Sequence, residues 1–212
     1  MRLERDLAVA TKGSRGTATR DQIVDVATRL MHRQGYHCTS LDDVLRESGV
    51  GKGNFYYYFR SKEDLGYAII GRMEAFLEST LYPLLDQTSA EPIHRIHRFL
   101  DRILETQREL NCIGGCPIGN LASELSDVHE GFRRRLAEIF SEWRRRIADA
   151  LALEQAAGRF SPGCEPGVIA QFLVASLEGA ILLTKVTKDI GVMERCVAEL
   201  KRHLTLYTGN QP

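Results

Sequence analysis

Apolar residues recur along this chain at steps of three and four. Ile23, Val26, Ala27, Leu30 and Met31 line one helix face, and the pattern stops at Gly35. The rhythm returns after Pro92 in Ile93, Ile96, Leu100, Ile103 and Leu104. It runs again from Phe132 through Leu136, Ile139, Phe140, Trp143 and Ile147 to Leu151, and ends around Gly158. No stretch shows strand alternation bounded by hairpin turns. Prolines at 83, 92, 117, 162, 166 and 212 supply the punctuation, because proline opens a helix more readily than it continues one. The spacing predicts about nine helices: 19–34, 40–47, 51–57, 62–82, 92–110, 118–126, 129–157, 166–187 and 191–207. The fold class is all-α. Three short helices over 19–64 form a small N-terminal domain, preceded by an arm over 1–18 and followed by a larger helical body over 65–212.

The segment from Gly35 to Leu65, GYHCTSLDDVLRESGVGKGNFYYYFRSKEDL, carries the candidate chemistry. Thr39 or Ser40 followed by Asp43 reads as a helix N-cap with an acid in the first turn. Gly49 suits the left-handed turn that ends this helix, and a second short helix follows at once. Two helices joined by a short glycine-containing turn make a helix-turn-helix, whose second helix enters the major groove of DNA. Lys52 and Lys62 can neutralise phosphates. Gly51 and Gly53 keep bulk away from the helix start, and Asn54 can read a base edge. Phe55 and Phe59, four apart, should anchor the helix in the core with Tyr56 partly packed; Tyr57 and Tyr58 then offer hydroxyls to phosphates or bases.

V-G-K-G-N-F-Y-Y-Y-F-R-S-K-E-D-L resembles the DNA-binding signature of the TetR/AcrR family of bacterial one-component regulators, with the match running from about Thr19 to Ile70. The resemblance implies that Thr39, Ser40 and Leu41 lie near phosphate, that Lys52, Gly53, Asn54, Tyr57 and Tyr58 lie at the groove, and that Lys62 clamps the backbone at the start of the fourth helix. It further implies a repressor released from a pseudopalindromic operator by a small-molecule inducer. The C-terminal body would bind that inducer and form a homodimer through its last two helices. Phe172, Leu173, Ser176, Gly179, Ala180, Leu183, Cys196 and Leu200 are the candidate interface, and Phe76, Phe99, Cys116, Asn120, Phe140, Trp143 and Phe172 the candidate pocket.

Composition narrows the alternatives. With 28 Lys and Arg against 28 Asp and Glu, the chain is not a general nucleic-acid coat, so any DNA binding must come from a local patch. Arg2, Arg5, Lys12, Arg15 and Arg20 against Glu4 and Asp6 make the arm basic. The arginine runs at 133–135 and 144–146 fan around a helix with Glu138 and Glu142 interleaved, which reads as a solvated, salt-bridged face. No apolar run approaches the roughly 18 residues of a membrane span, and the polar N-terminus lacks a secretory h-region. A cytoplasmic protein with no membrane partner is expected.

Five cysteines are an odd number in a chain too long to need stapling, so reduced thiols are expected. Cys112 and Cys116, in the loop CIGGCPIGN, admit three readings. A zinc site would need His94, His97 or His129, and no second ligand pair completes it, so no metal or cofactor is expected. A thiol-based electrophile or redox sensor at Cys116 would exploit the helix start that follows. The third reading is a small apolar side chain packing a tight turn. A helical enzyme is the remote alternative, since no nucleophile set, carboxylate pair or nucleotide loop is visible.

Overall fold

The computed structural model describes residues 15–86 and 91–208. Its helices are α1 Arg15–Gln34, α2 Leu41–Ser48, α3 Lys52–Tyr58, α4 Lys62–Phe76, α5 Tyr82–Asp86, α6 Pro92–Glu109, α7 Pro117–Leu125, α8 Glu130–Ala156, α9 Pro166–Thr187 and α10 Ile190–Thr205. A π-helical turn, Leu77–Leu81, joins α4 to α5, so the described residues hold nine helical runs. The only extended pairing among them is an isolated bridge between Phe160 and Thr208. Two boundaries differ from expectation. Helix α1 already includes Arg15, within the stretch expected to be an arm, and the rest of that stretch, residues 1–14, lies outside the described residues. The fourth helix passes Pro83 instead of stopping before it. Proline is tolerated in the first turn of a new segment, where its missing N–H has no carbonyl to serve after the π turn has shifted the ladder.

The chain forms two compact units, and the division differs from a single cut near residue 64. One unit takes the described residues up to Phe76 together with Pro117–Leu136; the other takes those of Leu77–Cys116 and Ala137–Pro212. In the first, Ile23, Ala27, Val44, Phe55, Leu65 and Ile69 are fully buried. Arg72 ties α4 to α1 by ion pairs with Asp21 at 2.9 Å and Asp25 at 3.3 Å. Helix α7 and the start of α8 join this unit because Phe132 is packed there, 5.7 Å from the Tyr36 ring and stacked 4.5 Å from that of Tyr67. Gly66 permits the approach: a Cβ at that position would lie 2.7 Å from Phe132. His129 links the same elements. Its Nδ1 accepts from the Phe132 N–H at the start of α8, and its Nε2 lies 3.0 Å from Glu63 on α4.

In the second unit, Phe99, Leu100, Ile147, Leu151, Leu173, Leu177, Val197 and Leu204 fill the core between α6, α8, α9 and α10. Buried Glu154 accepts from the Ile93 N–H at the start of α6 and from Arg159, so its charge is paired. The two arginine runs are salt-bridged as expected of a solvated face, with Glu130 and Glu142 each pairing with two arginines and Glu74, Asp86 and Asp149 among the other partners. Helix α9 corrects the expectation that no apolar run is long enough for a membrane. By length and composition it could cross one, with a mean hydropathy of 1.8 over its most apolar window. Small and aliphatic residues surround it on every side, so polarity breaks the run at only a few positions such as Gln171 and Glu178.

Candidate nucleic-acid interface

Helix α2 begins with a capping box. The Ser40 hydroxyl accepts from the Asp43 N–H at 3.1 Å, and the Asp43 carboxylate accepts from the Ser40 N–H at 3.1 Å. The Ser40 hydroxyl also donates to the Asp43 carboxylate at 2.6 Å, and this bond first, then Arg46 and the Ser40 N–H, holds the Asp43 carboxyl down at about 2. Gly49 ends the helix at φ +66, and α3 starts three residues later. Gln22 of α1 donates to the Ser48 carbonyl at 2.7 Å and so fixes the end of α2.

Helix α3 is anchored by Phe55 and Phe59, both buried, with ring centroids 5.6 Å apart. The opposite side is open. Lys52, Gly53, Asn54, Tyr56 and Tyr57 are exposed, Tyr57 by 81%, and Tyr58 is half-buried with its ring 4.9 Å from that of Tyr57. A Cβ built at Gly51 or Gly53 meets nothing within 4 Å. Neither glycine is therefore required by packing within the described residues. Gly53 is the second residue of the helix, where glycine costs less than the roughly 1 kcal/mol it costs in a helix interior.

The turn from α1 into α2 corrects one expectation. Thr39 is fully buried, and its hydroxyl donates to the Gly35 carbonyl at 2.8 Å while accepting from Gln34, so that side chain builds the turn and does not face phosphate. Ser40 is exposed with its hydroxyl engaged in the cap, and Leu41 is half-buried. Lys62 is also engaged. Its ammonium sits 4.6 Å from the Tyr36 ring centroid and donates to the His37 carbonyl at 3.4 Å, and burial pulls its pKa down. Glu124 completes the turn: its two carboxylate oxygens accept from the N–H groups of Tyr36 and His37, each at 3.0 Å. No local pattern marks that residue in the sequence, because its partners lie 88 and 87 positions away.

Two family descriptions match this chain: "Bacterial regulatory proteins, tetR family" over residues 23–69, and "Tetracyclin repressor-like, C-terminal domain" over residues 92–200. The chain belongs to the TetR family of bacterial transcriptional regulators. An uncharacterized HTH-type transcriptional regulator in the lacX 3'region of Lactococcus lactis subsp. lactis is 33% identical over 83% of this chain and 88% of its own length. The HTH-type transcriptional repressor DhaR of Mycobacterium sp. (strain GP1) is 30% identical over 82% of this chain and 85% of its own. The crystal structure of Escherichia coli NemR, in its reduced form, superposes with a TM-score of 0.79 at 28% identity, covering 87% of this chain and 96% of that one.

The TetR-family body brings together only part of the candidate pocket. Phe99 and Phe140 both lie against Trp143, with ring centroids 6.2 and 5.8 Å away. Phe172 does not join them: it is 46% exposed, with its ring against His203 on α10. Phe76 and Asn120 belong to the other compact unit. Cys116 is buried, and its thiol hydrogen-bonds to Glu178, whose carboxyl is pushed up by burial. The preceding loop holds Asn111 and Cys112 at φ +51 and +58, a region that side-chain-bearing residues seldom occupy. Lys188 donates to the Cys112 carbonyl at 3.1 Å, and Lys185 covers Gly115. Among the described residues no three His, Cys, Asp or Glu side chains are grouped so that they could hold a metal ion.

The candidate interface residues divide between buried and exposed positions. Leu173, Ala180 and Leu200 are buried in their own unit, and Ser176, Gly179 and Cys196 are half-buried, while Phe172 and Leu183 are exposed. Val168, Leu182 and Val186, outside the candidate set, are exposed on the same helix. With Phe172, Ala175 and Gly179 they recur at alternating steps of four and three, the period of a helix seam.

Proposed function

We propose that this chain is a cytoplasmic, homodimeric repressor that leaves a pseudopalindromic operator when a small-molecule inducer binds its C-terminal unit. The observation that carries the DNA reading is the open side of α3. Two glycines without packing duty stand beside exposed Lys52, Asn54, Tyr56 and Tyr57. A surface kept free of bulk, and furnished with a cation, an amide and phenols, fits close approach by a phosphate backbone and base edges. The exposed seam of α9 supports dimerisation, and the Phe99, Phe140 and Trp143 cluster supports an apolar or aromatic inducer. Fluorescence anisotropy on DNA upstream of the protein's own gene, at two salt concentrations, tests the reading. Wild type should bind tightly and with salt sensitivity, and Lys52→Ala/Tyr57→Ala should lose about a hundredfold. Equal binding by both proteins would sink the assignment of α3.

One observation favours a second mode of release. The Cys116 thiol donates to a buried carboxylate that can take its proton while the sulfur forms a bond to a soft electrophilic carbon. Treatment with N-ethylmaleimide should then release wild type from DNA and leave Cys116→Ser bound. Release of both, or of neither, removes this reading.

A further inference from the structure

We propose that Glu124 is a positioning residue for DNA reading: from α7, its carboxylate holds the turn between α1 and α2 in the form that presents the helix-turn-helix. The inference rests on the reading of α2 and α3 as the DNA reader and adds to it the element that sets its geometry.

The polar groups of this turn can be followed one by one. Gly35, at φ +92, carries the chain out of α1. Its carbonyl accepts from the Thr39 hydroxyl, and the Tyr36 carbonyl accepts from the Thr39 N–H at 3.3 Å. The His37 carbonyl accepts from Lys62. The N–H groups of Tyr36 and His37 both donate to Glu124, one to each oxygen. A Cβ on Gly35 would stand 2.9 Å from Glu124 Oε1, so the carboxylate occupies the one side of the turn where only hydrogen fits. Thr39 is local and Lys62 opens α4, but Glu124 comes from a distant helix.

Bonds from amides to a carboxylate are stronger than neutral ones, and they weaken steeply with distance and angle. A displacement of α7 by one residue's rise, about 1.5 Å, is therefore enough to break both. Helix α7 begins at Pro117, directly after Cys116. A change in the 111–116 loop thus has a covalent path to the carboxylate that fixes the reader. Without Glu124 the two N–H groups would turn to water, and the turn that delivers Ser40 and the capping box of α2 would sample other forms.

The test compares wild type, Glu124→Ala and Glu124→Gln on two duplexes. One is enriched from a random pool by the wild-type chain, and the other is an arbitrary sequence of equal length. Amide exchange at Tyr36 and His37 is followed alongside. Positioning predicts that Glu124→Ala loses about tenfold or more on the enriched duplex, with Glu124→Gln between it and wild type. Affinity for the arbitrary duplex and the melting temperature should stay close to wild type, and the two amides should exchange faster. A merely structural role would lower the melting temperature and both affinities together, which overturns the proposal. Unchanged affinity for the enriched duplex overturns it too, whatever the amides do. A wild-type chain that enriches no duplex would instead sink the DNA reading beneath it, a result distinct from either.

Discussion

Helices α3 and α9 both leave large apolar side chains uncovered, but the company those side chains keep is different. On α3, Tyr56 and Tyr57 stand beside Lys52, Asn54 and two glycines. On α9 the uncovered apolar residues are Val168, Phe172, Ala175, Leu182, Leu183 and Val186, with Val186 71% exposed; exposed Gln171 and Thr187 accompany them, but no exposed residue of the helix carries a charge. Exposure alone therefore assigns no partner. A cation, an amide and phenols over a surface cleared of bulk suit a polyanion with hydrogen-bonding edges. An aliphatic seam with a period of about 3.5 suits a second helix, whose side chains can enter the gaps between its own.

The change expected to damage this contrast most is a charge placed in the seam. Leu182→Asp buries an unpaired carboxylate wherever two α9 helices meet and removes the apolar area that drives association. Self-association should weaken on the order of a hundredfold or more. Sedimentation equilibrium reads this directly, and a variant that associates as tightly as wild type would show that the seam is not an interface. A smaller but more discriminating change is Gly53→Ala on α3. Nothing lies within 4 Å of the added methyl, so the fold should gain a few tenths of a kcal/mol, up to about 1 kcal/mol, from helix propensity in the first turn. Operator binding should fall about tenfold, because the methyl intrudes where DNA approaches. Thermal melting and anisotropy would then move in opposite directions. If both improved, the bare surface of α3 would have no role in binding.

How much of this was legible in the sequence follows from which contacts are local. Helices α1, α6 and α8 repeat apolar residues strongly enough that their positions were readable within a few residues, and Phe55 and Phe59 declared the inner face of α3 by their four-residue spacing. Helix α9 is apolar nearly all round, so periodicity could not separate the side that meets its own core from the side left open. Leu173 and Ala180, read as open, are buried against their own core, whereas Leu182 and Val186 are exposed. Thr39 misled for another reason. A hydroxyl before a helix can cap, contact a phosphate or close the preceding turn, and only the positions of Gly35 and Gln34 decide that it closes the turn. Glu124 left no trace in the pattern. Its role depends on the meeting of α7 with a turn almost 90 residues earlier, a fact of packing with no short-range signature.

The smallest effect separates the way α2 is held from the way α9 is held. Asp43 has its pKa depressed to about 2 by the Ser40 hydroxyl first, then by Arg46 and the Ser40 N–H. A depressed value means that the folded form favours the carboxylate. Its contribution is therefore fully present above the unfolded value near 4, and is lost as the pH falls toward 2. In that window protonation should open the capping box, and the first turn of α2 should fray. Global acid unfolding cannot isolate this event, because Glu130 and Glu142 on α8 are also held at about 2 by their arginines. The readout must be local: amide exchange at Asp42, Asp43 and Val44, against the first turn of α9, which has no side-chain cap. The α2 amides should lose protection on acidification while those of α9 show no step of their own. Asp43→Asn, which cannot titrate, should abolish the step at α2, and a step that survives it would trace the fraying to another group.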